Sequence, residues 1–445
     1  MILDKNAFGF SSHIIKRALK ATFRYVNQAT IKNSISNTIS ERIISIYIHF
    51  PFCRSLCPAC PYVRYLYNDK LVEKYINALK KEIILYGNLL KDLDLTVSDI
   101  HVGGGTPSLI KPEHFKEITN CIIENFKLAN NYDFGIEANP NDLNEEYVFK
   151  IRDAGINQLS IGIQSFNEKN LKILGRIHRL KDNFSAIKNA SMVDYKHTNI
   201  DLMYFLPNQS IEEWTKDIKI AVNQEVQQVT VYPLLIVHYR PMYKLMKKGK
   251  IPQQPDKKYF NIFYKNALNV LKEYKYNQLR YYSFSKSKQE YSTVEREMVG
   301  PLIAFGSGAI GFTGGSEYVN TCYPEEYIKK IEKQELPIAG LRSVSIEERI
   351  IRWIQERLSA LKFKKIEFKE FFKKDFNKSI PISIKYKLFF DKLAGNIKIT
   401  KDEVELTEKG ILMRNWIGWA FVLNVPCEIV AKYSKEPFPL EVSIP

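Results

Sequence analysis

From Glu41 onward, short apolar runs alternate with longer segments of helical period. The apolar run at 43–48 predicts a first strand, and a helix is expected near 69–90. Further strands are expected at 99–102, 134–137, 158–163, 199–203 and 228–233. Helices are expected between them at 112–126, 144–154 and 211–223, with helical segments continuing through residue 193. Strand and helix in strict turn predict an α/β fold built as a partial parallel (β/α)6 barrel. Crossovers of this kind are right-handed, and ligands gather at the carboxyl ends of the strands. Reactive side chains are therefore expected just after each strand.

The two ends of the chain have different patterns. Over residues 13–29, Ile15, Leu19, Phe23 and Val26 recur at helical spacing, while Lys16, Arg17, Lys20 and Arg24 add basic charge. Residues 1–40 thus read as a basic helical arm, expected to pack on its own domain rather than on a membrane. After residue 233 the period loosens: a helix at 252–273, a strand at 278–284, and an apolar run at 302–310 broken by Gly306 and Gly308. Residues 41–320 read as the barrel domain, 321–342 as a linker, and 343–445 as a C-terminal domain. That domain has expected helices at 346–361, 368–375, 384–393 and 412–421, with a hairpin at 397–406. Short helices with a small hairpin resemble an α+β winged-helix module.

Composition narrows the function classes. A chain of 445 residues has room for two or three domains, and 45% hydrophobic with 26% charged residues is ordinary for globular protein. No uncharged apolar run reaches transmembrane length. The first residues lack the apolar core and cleavage site of a signal peptide. Six cysteines are too few for a secreted disulfide scaffold and suit a reduced, low-oxygen cytoplasm. The net charge of +16 is spread through a Lys-, Ile- and Asn-rich chain. Without a dense basic block interleaved with aromatics, no nucleic-acid partner is expected.

The reactive residues fall where the barrel places them. After the first strand comes Cys53-x3-Cys57-x2-Cys60, three of the six cysteines within eight positions. This spacing fits four-ligand zinc sites poorly. It suits three thiolates holding three irons of a [4Fe–4S] cube, with the fourth iron open to a small molecule. Gly103-Gly104-Gly105-Thr106-Pro107-Ser108 follows the second strand and permits close backbone approach, yet matches no nucleotide-triphosphate motif. Glu137-Ala-Asn139-Pro140 closes the third strand and Gln164-Ser165-Phe166 the fourth, while Asp201 lies in the fifth. Glu137 suits acid–base work or acceptance of hydrogen bonds from a ribose or an ammonium group. Arg176, in Gly175-Arg176-Ile177-His178, suits bidentate neutralisation of a carboxylate. His178 has a structural reading beside that arginine. Tyr47 reads equally as a buried strand residue or as a contact to an adenine. Cys121, Cys322 and Cys427 are scattered, and Cys121 falls on the apolar side of its helix.

Taken in order, 47–60, 103–108, 137–140, 161–166 with 174–178, and 201–207 resemble one group of proteins. This is the radical S-adenosylmethionine (SAM) family of oxygen-independent coproporphyrinogen III oxidase and its relatives, which include heme chaperones and SAM methyltransferases. Val404-Glu405-Leu406-Thr407-Glu408-Lys409-Gly410 with Asn415-Trp416 is similar to the family's end module. The resemblance implies that Cys53, Cys57 and Cys60 ligate a [4Fe–4S] cluster whose open iron chelates SAM among Tyr47, Gly104, Glu137 and Ile310. It implies catalytic parts for Glu137 and Arg176. Gly105, Thr106, Gln164, Arg176 and Asp201 match contacts to a second SAM, so one or two SAM molecules are implied. The implied substrate is a porphyrin or another conjugated molecule, with an electron donor of the flavodoxin or ferredoxin type. Oxidase, carbon methyltransferase and heme chaperone stay open. The N-terminal arm lacks the oxidase's Tyr/Pro-rich character, and residues 291–297 lack the histidine motif usual in the chaperones.

Overall fold

The computed structural model describes residues 21–236, 240–287, 291, 299–415 and 441–444. Six strands form its centre: β1 (Ile43–Phe50), β2 (Thr96–Gly104), β3 (Lys127–Ala138), β4 (Gln158–Gln164), β5 (His197–Tyr204) and β6 (Gln228–Pro233). Each pairs in parallel with the next, so spatial order follows chain order. The crossovers carry the helices Asp69–Leu90, Pro112–Asn125, Glu145–Asp153, Leu180–Ser191 and Ile211–Asn223. This is the expected partial (β/α)6 barrel.

Local chemistry sets these elements. The helices cover one face of the sheet and the barrel interior the other, so strand side chains are buried in both directions. In β1, Ile44, Ile46, Ile48 and Phe50 are buried on one face, and Ser45 and His49 on the other. The helices start where a side chain satisfies an orphan backbone N–H. Asn68 accepts from Leu71 N, Asn144 accepts from Tyr147 N, and Ser210 forms a capping box with Glu213. Ser210 and Asn144 are legible in sequence, and the helices they begin were expected within a residue of their observed starts.

Among the described residues, the sheet continues beyond the barrel to fourteen strands. Leu302–Phe305 lies parallel to the free edge of β1, followed by antiparallel Ile310–Phe312, Ser316–Asn320 and Ile338–Ser343. On the far side, Ser283–Ser285 pairs with β6 and Asn277–Gln278 pairs with Ser283–Ser285. The expected strand at 278–284 is thus two short strands around Arg280. The expected helix at 252–273 has its α-helical part at Phe260–Glu273 only.

Two expectations are corrected. Residues 321–342 are not a linker. Pro324–Glu332 is a helix that buries Tyr327 and Ile331 in the barrel core, and Ile338–Ser343 is paired on both sides within the sheet. The helix has a charged outer face, Glu325, Glu326, Lys329 and Lys330, and this made a four-residue apolar period look like polar connection. The arm is also not one helix over 13–29. Ala21–Arg24 is a strand with Phe23 buried, paired to Ile338–Ser343 and Glu441–Ile444. A new helix starts at Gln28, because Asn27 accepts from Thr30 N and sets the cap there. Residues 13–20 lie outside the described residues, as do Cys427 and residues 416–421 of the expected last helix.

The C-terminal module has its own core, Trp353, Phe363, Phe368, Phe376, Leu388 and Val404. Helices Ile346–Ser359, Lys365–Phe372 and Ile382–Leu393 surround a small sheet of Lys362–Lys364, Ile397–Ile399 and Glu403–Leu406, the last two forming the expected hairpin. Arg280 donates to Glu356 at 2.6 Å and to Ser359 at 2.8 Å, a buried ion pair that ties the module to the barrel side.

Candidate functional site

The cysteine loop leaves β1 and is closed at its base. Phe52–Cys53 pairs with Tyr65–Leu66, and inside the loop Cys60 N donates to Cys57 O at 3.2 Å. The glycine loop after β2 presses against the same backbone. Gly105 N donates to Phe50 O at 2.8 Å and Thr106 N to Phe52 O at 2.9 Å. A Cβ on Gly105 would stand 2.7 Å from Phe52 O, and Gly104 has φ +108° with the His49 ring where its Cβ would go. Both positions therefore require glycine.

The three thiols are free. Burial pushes the Cys53 thiol up to about 11, with a hydrogen bond to Thr106 acting the other way. Burial also raises Cys60, against the pull of Arg64 and Arg240. Cys57 Sγ lies 3.6 Å from Gly175 O and 3.9 Å from an Arg176 Nη. Among the described residues no three His, Cys, Asp or Glu side chains converge on a single ion position. A [4Fe–4S] cube asks for the wider arrangement, since each thiolate binds a different iron. The donor set fits that cube: three thiols free of disulfides on one closed loop, with Arg64 and Arg240 drawing Cys60 toward the thiolate against its burial and Arg176 beside Cys57.

Glu137 stands at the end of β3, half exposed. One carboxylate oxygen accepts from Gly104 N at 3.4 Å, and the other lies 3.5 Å from His101 Nε2. Nδ1 of His101 meets Tyr291 OH at 3.2 Å, and the His101 ring stacks on Tyr47 with centroids 5.9 Å apart. Tyr47 OH in turn meets His49 Nδ1 at 2.9 Å. Burial lowers His49 to about 4, so it is a neutral partner at ordinary pH. Tyr47, Glu137 and Gly104 are thus joined through His101, with His49 holding the Tyr47 hydroxyl.

A second polar chain runs along the other side. Arg176 donates to the Asn139 side chain and to Gly162 O at 3.3 Å, and Asn139 Nδ2 donates to Thr106 Oγ1 at 3.4 Å. Gln164 ends β4 at φ +65°, a rare conformation for a side-chain-bearing residue, with its amide beside Gly162 and the Arg176 guanidinium. Asp201 Oδ1 accepts from Asn199 at 2.8 Å and Oδ2 from Ser160 at 3.3 Å. Burial first, and the Glu137 charge second, push Asp201 up to about 7. Arg176 acts on it in the opposite direction.

Of the residues singled out in the sequence, Tyr47, Cys53, Cys57, Gly104, Gly105, Thr106, Glu137, Gln164, Arg176 and Asp201 share this rim, and Cys60 completes the loop. Ile310 stands apart. Leu302 faces Phe312 across the antiparallel pair, which puts Ile310 opposite Ala304, itself paired to Tyr47. His178 is buried, donates from Nε2 to Ile163 O at 3.3 Å and has its pKa lowered to about 3 by burial, then by Arg176. That fits its structural reading. Cys121 is buried on its helix as expected. His49, His101, Tyr291, Asn199 and Ser160 were not singled out as site residues. The signal for the first two was strand alternation: Tyr47 with His49, and His101 with Gly103, are same-face positions on two adjacent strands in register.

A sequence profile described as the Radical SAM superfamily matches residues 47–221. The chain is 30% identical over 314 residues to a Bacillus subtilis protein named heme chaperone HemW, covering 69% of this chain and 80% of that one. It is 28% identical over 437 residues to a Helicobacter pylori protein named oxygen-independent coproporphyrinogen III oxidase, covering 92% and 90%. Its fold matches that of Escherichia coli coproporphyrinogen III oxidase with TM-score 0.75 at 22% identity, over 90% of this chain and 94% of that one. Proteins of this superfamily use a [4Fe–4S] cluster and SAM. The chain belongs to the radical SAM family that holds the oxygen-independent coproporphyrinogen III oxidases and the heme chaperone HemW.

Proposed function

We propose that this protein is a radical SAM enzyme of the coproporphyrinogen-oxidase type, acting on a porphyrin or a related conjugated substrate. The observation that carries this reading is the pair of polar chains meeting at the cysteine loop: Tyr47–His101–Glu137–Gly104 on one side, Thr106–Asn139–Arg176–Cys57 on the other. Cys53, Cys57 and Cys60 would hold the cluster. With SAM bound and an electron from a flavodoxin- or ferredoxin-type donor, that cluster would supply radical chemistry, SAM being cleaved to methionine and a 5′-deoxyadenosyl group able to take hydrogen from the substrate. Glu137 and the Gly104 backbone would orient the amino-acid or ribose end of SAM. Tyr47, fixed by neutral His49, presents its ring beside them. Ile310 would supply apolar contact from the strand next but one to β1.

Arg176 is the side chain suited to a carboxylate, either of a second SAM or of the substrate. Gly105, Thr106, Gln164 and Asp201 complete that second set. Asp201, held up to about 7, can hold or release a proton near neutral pH. We assign residues 41–343 to the barrel domain, since Pro324–Glu332 and Ile338–Ser343 pack in its core and sheet, and the residues after 343 to the oxidase-like end module, working in a reduced cytoplasm.

A heme chaperone that keeps barrel and cluster is the second reading, favoured by the identity to the protein named HemW. A carbon methyltransferase is the third. Mass spectrometry of anaerobically reconstituted protein with SAM, dithionite and coproporphyrinogen III separates them. The oxidase reading predicts 5′-deoxyadenosine and a product lacking two carboxyl groups. S-adenosylhomocysteine with a product heavier by one methyl group would assign methyl transfer. Stoichiometric heme binding without 5′-deoxyadenosine would assign the chaperone.

A further inference from the structure

The helix Ile382–Leu393 buries only a narrow side. Ile384 and Leu388 enter the module's core, while Ile382, Tyr386, Phe389, Phe390 and Leu393 stand between 55% and 70% exposed. At 3.6 residues per turn these five positions fall on one face roughly 100° wide. Phe389 and Phe390 meet edge-on there, centroids 5.6 Å apart. By the same period, Lys385 and Lys392 border the face on one side and Lys387, held by Asp391 at 2.8 Å, borders it on the other. The surrounding segment, residues 361–401, has twelve lysines against four carboxylates. Its net charge of +8 is half of the chain's +16.

We propose that this face docks on an anionic lipid bilayer. The helix would lie in the headgroup plane, its five apolar side chains entering the acyl boundary and its bordering lysines meeting lipid phosphates. Charge and apolarity choose this occupant together. A nucleic-acid surface would place polar and basic side chains at the centre of the face, where this one is apolar. A second copy of the chain would bring two lysine borders against each other. The proposal is independent of the cluster and of the reaction.

Flotation of the full chain with phosphatidylcholine vesicles, with and without about one third phosphatidylglycerol, tests it. Binding is expected on the anionic vesicles, about tenfold weaker on the neutral ones, and falling with salt. Phe389→Glu with Phe390→Glu should weaken it at least about tenfold. Lys385→Glu with Lys392→Glu should weaken it several-fold. Absence of binding to anionic vesicles overturns the proposal, as does binding that survives both double substitutions. A parent dimer that the phenylalanine variant dissolves, with no vesicle binding, would assign the face to a second copy instead. Because both phenylalanines are exposed, the variant should melt like the parent. A melting point several degrees lower would mean that the chain itself covers the face, and the proposal would fall.

Discussion

Asp201 sits buried between opposing influences, the Glu137 carboxylate raising its pKa and Asn199, Ser160 and Arg176 lowering it, with burial the largest effect. An acid raised in the fold contributes most to stability below its unfolded pKa, 3.8, and that contribution is lost as pH rises through about 7. Asp201→Asn keeps the shape and removes the titration. The gain in Tm of the variant over the parent should therefore be larger at about pH 8 than at about pH 5, by roughly 1–4 °C. Equal gains at both pH values would remove Asp201 from this account. Single residues were unequally legible. Three cysteines in eight positions announce themselves by spacing. His101 does not, because a lone histidine in an apolar strand acquires meaning only from its neighbours on other strands, Tyr47, Glu137 and Tyr291.

Among the elements, the contact between two loops matters most to the site. The glycine loop gives two backbone hydrogen bonds to the start of the cysteine loop, and no side chain fits between them. Gly105→Ala would drive a Cβ into the Phe50 and Phe52 carbonyls, 2.8 and 2.7 Å away. The expected result is a loss of roughly 1–3 kcal/mol in stability and less iron bound on reconstitution. Thermal melts and iron assay check both, and parent-like values in both would contradict the loop contact. The barrel strands were legible because two covered faces make them nearly continuous apolar runs. The helix Pro324–Glu332 was not, since its charged outer face dominates nine residues and its apolar side gains meaning only against Tyr75 and the strands it covers. Ala21–Arg24 was missed for a related reason: four residues make a strand only through partners more than three hundred positions away.

Across the whole molecule, the barrel and the C-terminal module act as one frame for the rim. The Arg280–Glu356 pair joins them, and Tyr204 at the end of β5 meets Asn415 from the last described helical turn at 2.9 Å. The match to an oxidase over nine-tenths of both chains is consistent with a frame used in full. The proposed function stands on cleavage of SAM at the cysteine loop. The most direct measurement compares the parent with Cys57→Ala, each reconstituted anaerobically, reduced with dithionite and assayed for iron and 5′-deoxyadenosine. The parent is expected to hold about four irons and to release 5′-deoxyadenosine from SAM, and the variant to lose both. Equal 5′-deoxyadenosine from the two proteins, or none from a parent that holds its cluster, would contradict that reading.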